Sequence, residues 1–154
     1  MNIEITIASN DSDYFQSAEL ITYNEPWKSF KRTLDYSLKK VKNEDSVLFV
    51  AKDENKVLGC LLLDTKGQLT MFVRSLCVSH EVRGKSIGKL LLETAETYSF
   101  EENSNVFLFV SENNKLAQQF YYKNGYTKIG EITEFLISGN TEYILRKTTG
   151  PTEE

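Results

Sequence analysis

The chain has 154 residues, 40% of them hydrophobic, 26% charged and 12% aromatic. That is the length of one ordinary domain, able to bury a core without a metal or a disulfide, and the composition excludes a disordered or collagen-like chain. A net charge of −4 and a pI near 5.2 argue against a nucleic-acid partner, because phosphate contacts need a basic face. Apolar runs such as Leu61 to Leu63 and Val106 to Val110 are too short to cross a bilayer, and Met1 to Ile5 lacks the basic flank and apolar core of a signal peptide. The expectation is a soluble, cytoplasmic protein without a membrane partner, either monomer or homodimer. Cys60 and Cys77 lie in strand-like runs and the chain has one histidine, so buried thiols and no metal are expected.

Alternation at Ile3, Ile5 and Ile7 predicts a first strand. Asn10, Asp11 and Ser12 are cap candidates for a helix whose stripe is Tyr14, Ala18 and Ile21, broken at Asn24-Glu25-Pro26. Phe30, Leu34, Leu38 and Val41 mark a second amphipathic helix, with Lys28, Lys31, Arg32, Lys39 and Lys40 on its solvated face. Strands follow at Val47 to Lys52, Val57 to Asp64 and Leu69 to Val78, with turns at Asp53 to Lys56 and Lys66-Gly67. Ile87, Leu91, Ala95 and Tyr98 stripe a third helix. Val106 to Val110, apolar at every position, reads as a strand covered on both faces. Leu116, Ala117, Phe120 and Tyr121 stripe a fourth helix that Asn124-Gly125 ends. Two strands close the chain, about Tyr126 to Ile137 and Thr141 to Arg146. The order predicts an α/β fold: one mixed sheet of six to seven strands with four helices on both faces. Residues 1–147 form the domain and 148–154 a flexible tail, frayed from Gly150 to Glu154.

Val78 to Lys89 is the informative stretch, because it joins a strand to a helix N-terminus. Small residues there let consecutive amides point at one anion, and Arg83 and Lys85 add full charges, a chemistry suited to pyrophosphate. Gly84-Lys85-Ser86 is not a Walker A loop, which needs a glycine where Ser79 stands, and the dinucleotide pattern G-x-G-x-x-G is absent.

Arg83-Gly84-Lys85-Ser86-Ile87-Gly88 resembles instead the acetyl-CoA loop of the GCN5-related N-acetyltransferase (GNAT) family, with Ser86 in place of the first motif glycine. Asn114 to Tyr121, followed by Lys123-Asn124-Gly125-Tyr126, is similar to the family's second signature, and Glu142 to Lys147 to its closing strand. The resemblance covers about residues 45–147 closely and the first 45 by element order. It implies a GNAT-like fold with an N-acetyltransferase domain over residues 1–147. The activity it implies is direct transfer of acetyl from acetyl-CoA to a primary amine, small-molecule or peptide, in a ternary complex. The alternative it leaves open is an acyl-CoA-binding regulatory domain without turnover.

By that resemblance Leu76, Cys77 and Val78 splay from the neighbouring strand to bind pantetheine, with the Val78 N–H polarising the thioester carbonyl. Arg83, Gly84, Lys85, Ser86, Ile87, Gly88 and Lys89 hold the CoA phosphates, together with Asn114, which also reads as a helix N-cap. Tyr121 matches the tyrosine that protonates the CoA thiolate. Cys77 as an acyl-carrying nucleophile is the rival reading, but it lacks a histidine base nearby, since His80 reads as a surface residue on the rim of the loop. The family's usual base positions fall on Phe109 and Arg74, neither a carboxylate. Base work then passes to a water chain or to Glu25, which with Glu19 would attract the ammonium. Trp27 either walls the acceptor site or joins the core, and Arg74 would grip an acceptor carboxylate with both prongs.

Overall fold

The computed structural model describes residues 1–153; Glu154, the end of the expected tail, lies outside them. Seven strands form one sheet in the order β1-β2-β3-β4-β5-β7-β6. They are β1 (Ile3–Ile7), β2 (Ser46–Asp53), β3 (Lys56–Asp64), β4 (Phe72–Val78), β5 (Asn105–Ser111), β6 (Thr127–Thr133) and β7 (Thr141–Thr148). Every neighbouring pair is antiparallel except β4 and β5. Four α-helices, α1 (Asp11–Thr22), α2 (Leu34–Val41), α3 (Ile87–Phe100) and α4 (Lys115–Lys123), cover both faces. No helix among the described residues is long and apolar enough to cross a membrane.

Each face has its own core. Residues of α3 and α4 pack with Phe49, Leu61, Leu63, Val73, Leu108 and Leu145 on one side. Those of α1 and α2 pack with Leu48, Val50, Cys60, Leu62 and Cys77 on the other. Strand alternation makes this division, since Leu61 and Leu63 point to one face and Cys60 and Leu62 to the other. Leu91 of α3 is fully buried, and trimming such a leucine to alanine costs about 2–5 kcal/mol.

Helix starts follow local chemistry. The Asn10, Thr33 and Asn114 side chains each accept a first-turn amide of the helix behind them. Four expected boundaries move. α2 begins at Leu34 behind Thr33, so Phe30 falls in the preceding turn, where the Arg32 guanidinium lies between the rings of Phe30 and Tyr36. β4 begins at Phe72, because Met71 has a positive φ of 62° that ends extended geometry. β6 stops at Thr133, leaving Phe135, Leu136 and Ile137 exposed in the β6–β7 hairpin. At the chain's end β7 runs to Thr148, and the Thr149 N–H donates to Ser104 O at 2.8 Å.

The expectation that β5 is covered on both faces fails. Val106, Leu108 and Val110 are sealed under the α3 layer, but Phe107 and Phe109 are only half-buried. The α1–α2 layer packs on β2, β3 and β4, so this side of β5 is closed by aromatic edges instead. Phe109 meets Phe72 at 4.7 Å and Phe135 at 5.5 Å between ring centroids, both edge to face.

Candidate active site

β4 and β5 pair only at Phe72–Phe107 and Val73–Leu108. Beyond those two positions they diverge, opening a gap between Arg74 to Val78 and Phe109 to Ser111. On its other edge β4 stays paired with β3, Gly59 opposite Val78 and Cys60 opposite Cys77. The Ser79 N–H donates to Leu58 O on β3 at 2.8 Å. Backbone groups alternate sides along a strand, so the N–H groups of Val78 and Leu76 turn toward the gap. Arg83 Nε reaches the Val78 carbonyl from the gap side at 3.4 Å.

The loop after β4 makes one 3₁₀ turn at His80–Val82, with His80 exposed on the rim, and then enters α3. Gly84 (φ 80°) and Ser86 (φ 63°) both adopt left-handed geometry, which curls the backbone so that successive amides face inward. Ser86 occupies the N-cap of α3 but makes no side-chain cap bond, and the first turn carries no acidic residue. The first amides of this 14-residue helix therefore keep their donors beside exposed Arg83, Lys85 and Lys89. A Cβ on Gly88 would come within 3.6–3.7 Å of Phe120 and Val78, so Gly88 faces the slot between β4 and α4, while Ile87 is buried in the core. Unpaired amides, three cations and a slot behind them fit a diphosphate bearing a thin, amide-containing arm.

Tyr121 follows Phe120 on α4 and packs against the core, edge to face with Phe120 at 5.2 Å and Tyr126 at 5.6 Å. Burial pushes its phenol well above the usual range, so it stays protonated through neutral pH. Tyr126 is fixed in turn, donating to Glu96 Oε2 at 2.8 Å, while Lys147 holds Oε1 at 2.9 Å. Asn114 Oδ1 is committed to the Ala117 N–H at 3.1 Å, which leaves its amide nitrogen for a ligand.

The residues expected on the acceptor side are scattered. Cys77 Sγ lies 3.4 Å from Leu20 O, which places the end of α1, and the loop of Glu25 and Trp27 behind it, over the end of β4. Trp27 is partly buried against the α1–α2 core. Glu25 is exposed and accepts from the Ser29 hydroxyl, and Glu19 is half-buried on α1. Arg74 departs from expectation. Its Nε donates to Asp64 Oδ2 at 2.6 Å, beside Lys40 and Lys66 in an open pocket of about 250 Å³. With Asp64 occupying one edge of the fork, a two-pronged grip on an acceptor is reduced to the remaining nitrogens.

One buried carboxylate beside the end of β5, one strand beyond the gap, was not foreseen from the sequence. Glu142 pairs with Ser111 in the β5–β7 ladder and is 5% exposed. Its Oε2 accepts from Asn140 Nδ2, which also donates to Ser111 Oγ. The signal was the alternation Tyr143-Leu145-Lys147, which sends Glu142 to the opposite face, but only the ladder shows what lies there.

The family model described as the acetyltransferase (GNAT) family matches residues 11–126. The chain belongs to this family. An uncharacterised N-acetyltransferase of Methanocaldococcus jannaschii is 39% identical over 80 residues, 51% of this chain and 51% of that protein. The chain spans about half the length of the curated relatives it matches. Among solved structures, PaiA N-acetyltransferase from Thermoplasma acidophilum in complex with coenzyme A superposes with a TM-score of 0.72 at 23% identity, over 96% of this chain and 99% of that one. Aminoglycoside 6′-N-acetyltransferase complexed with coenzyme A gives 0.78 at 16% identity over 100% of both chains. At these identities the likeness concerns the fold, and this GNAT chain's chemistry rests on its own residues.

Proposed function

We propose that this GNAT chain transfers the acetyl group of acetyl-CoA to a primary amine, directly, in a ternary complex. The observation that carries the proposal is the Val78 N–H turned into the β4–β5 gap behind the open N-terminus of α3. A pyrophosphate on the amides from Arg83 to Gly88 sends the pantetheine arm past Gly88 toward Val78, whose N–H then polarises the thioester carbonyl. Leu76 contributes backbone, whereas Cys77, expected beside it, turns its N–H and C=O to β3, and Ile87 seats the first turn of α3. Tyr121 supplies the proton for the departing thiolate, and Asn114, Lys85 and Lys89 add polar contacts to CoA.

The acceptor enters from the opposite face, between the Glu25–Trp27 loop and the β6–β7 hairpin. Its class is a small-molecule or peptide amine, in keeping with neighbours described as an aminoglycoside acetyltransferase and as a complex bound to a Gag peptide. Glu25 and Glu19 attract the ammonium, Trp27 walls the entrance, and Arg74 favours acceptors bearing a carboxylate. We place the protein in the cytoplasm, where acetyl-CoA is available.

Calorimetric titration with acetyl-CoA, followed by a thiol-release assay over an amine panel, tests this reading. Saturable binding and amine-dependent CoA release are expected. Binding without release for any amine would make the chain a CoA-binding module, and no binding would overturn the site. Gly88→Glu, which fills the slot and adds a negative charge, should weaken binding at least tenfold, about 1.4 kcal/mol.

A further inference from the structure

We propose that Glu142 is the carboxylate that takes the acceptor's ammonium proton. This assignment rests on the acetyl-transfer reading above and gives that reaction the base that the family's usual positions lack, since those positions are Phe109 and Arg74.

Placement comes first. The β5–β7 ladder sets Ser111 against Glu142 and Phe109 against Ile144. Tyr143 and Leu145 pack into the α3 layer, so Glu142 emerges on the other face, the one from which an amine must reach a thioester held from the α3 side. Ser111 is the last residue of β5, at the wide end of the gap, and Glu142 is one strand spacing beyond it, about 4.8 Å.

The second observation concerns unmet hydrogen bonding. Asn140 Nδ2 donates to Ser111 Oγ at 2.7 Å and to Glu142 Oε2 at 3.1 Å, and this fixes the orientation of its amide. Asn140 Oδ1 is then left buried with no partner among the described residues. A carboxylate and an orphaned amide oxygen together form an acceptor-only pair. Such a pair suits a group that brings several N–H donors, and a primary ammonium brings three.

The electrostatics agree with the geometry. Burial raises the Glu142 pKa and the charge of Glu112 raises it further, while the Ser111 hydroxyl lowers it. Ser111 and Glu112 face it from the end of β5, Asn140 from the hairpin and Ile132 from β6, and of these Glu112 alone is ionisable. A carboxylate moved toward neutral pH is a better-matched base than a solvated one.

The step balances. The ammonium gives one proton to Glu142, and the freed lone pair attacks the thioester carbon. The C–N bond forms and the C–S bond breaks. The sulfur takes a proton from Tyr121, which is restored by the proton the new amide nitrogen sheds. Glu142 passes its proton to water, so one proton is released per acetyl group transferred.

The test uses Glu142→Gln, which can still accept from Asn140, with the best acceptor among phenethylamine, spermidine, L-phenylalanine and a tripeptide with a free N-terminus. Expected are a fall in kcat/KM of about 100-fold, loss of the acidic limb of the pH–rate profile, and acetyl-CoA affinity within twofold of wild type. Turnover within threefold and an intact acidic limb would overturn the assignment. Should Glu142→Gln fail to fold, Ser111→Ala decides. Removing the hydroxyl that lowers the Glu142 pKa should move the acidic limb to higher pH, and an unmoved limb overturns the proposal. Wild-type protein that binds acetyl-CoA but releases no CoA with any of these amines would bring down the acetyl-transfer reading itself, a result distinct from an unaffected Glu142→Gln.

Discussion

Cys60 and Cys77 stand directly opposite one another across the β3–β4 ladder, and both thiols point into α1. Cys60 Sγ lies 4.0 Å from Ser17 O and Cys77 Sγ 3.4 Å from Leu20 O. Burial pushes the Cys77 thiol up to about 12, and Cys60 is raised as well, by burial and then by Cys77. At neutral pH the Cys77 thiolate is then roughly one part in 10⁵, and the side chain faces a helix instead of the gap.

Burial and orientation both oppose an acyl-cysteine route, and the first prediction is chemical silence. Native protein should show almost no reaction with a disulfide reagent over minutes, and two thiols once denatured. Acid-quenched turnover mixtures should carry no acetyl group on Cys77 by mass spectrometry. A stoichiometric acetyl-thioester at that residue would replace direct transfer with a two-step mechanism.

Ser86 carries the second prediction. Its φ of 63° costs a non-glycine residue about 1–2 kcal/mol, which glycine avoids while giving back about 0.5–1 kcal/mol through the unfolded chain. Ser86→Gly should leave thermal stability equal or slightly higher and keep acetyl-CoA affinity, because the amide donor remains. Ser86→Val, β-branched in the same geometry, should lower both. Equal melting temperatures for the glycine and valine variants would show that the loop is not held in this conformation.

Tyr121 gives the third. Tyr121→Phe keeps the ring contacts with Phe120 and Tyr126 and deletes the hydroxyl. Turnover should fall about 10²–10⁴-fold with acetyl-CoA binding nearly unchanged. Because burial raises this phenol, wild-type activity should show no alkaline limb from Tyr121 at or below its ordinary pKa of about 10. A folded Tyr121→Phe variant within threefold of wild type would leave the tyrosine a packing residue.

Element order and the course of the β4–α3 loop were legible because their chemistry is local. Asn10 and Asn114 cap the helices they precede, and the glycines of the loop stand within a few residues of the amides they expose. What could not be read depends on partners distant in sequence. The apolar run of β5 gave no sign that Phe107 and Phe109 lie beyond the reach of α1 and α2, a matter of sheet order. Arg74 looked free until the β3–β4 ladder brought Asp64 to it. Glu142 became visible only through its register with Ser111, and a one-residue slip would have turned it to the other face.

Glu142 also makes a stability prediction, the last. Its folded pKa lies above its unfolded value of about 4.3, so the native state prefers the protonated form. The sign follows from that ordering. The contribution is fully present below the unfolded pKa and is lost as pH rises through the folded pKa, beyond which a buried charge is retained at a cost. A glutamine side chain at this position would carry no such charge and would keep the Asn140 bond. Relative to wild type, Glu142→Gln should therefore melt higher at pH 8, with the difference shrinking toward zero near pH 4. A residue kept for catalysis at the expense of stability behaves in this way. Melting curves of the two proteins across that range check it, and a variant that is less stable at pH 8 than at pH 4, relative to wild type, would mean that the ionised carboxylate is held by favourable contacts and is not poised to accept a proton.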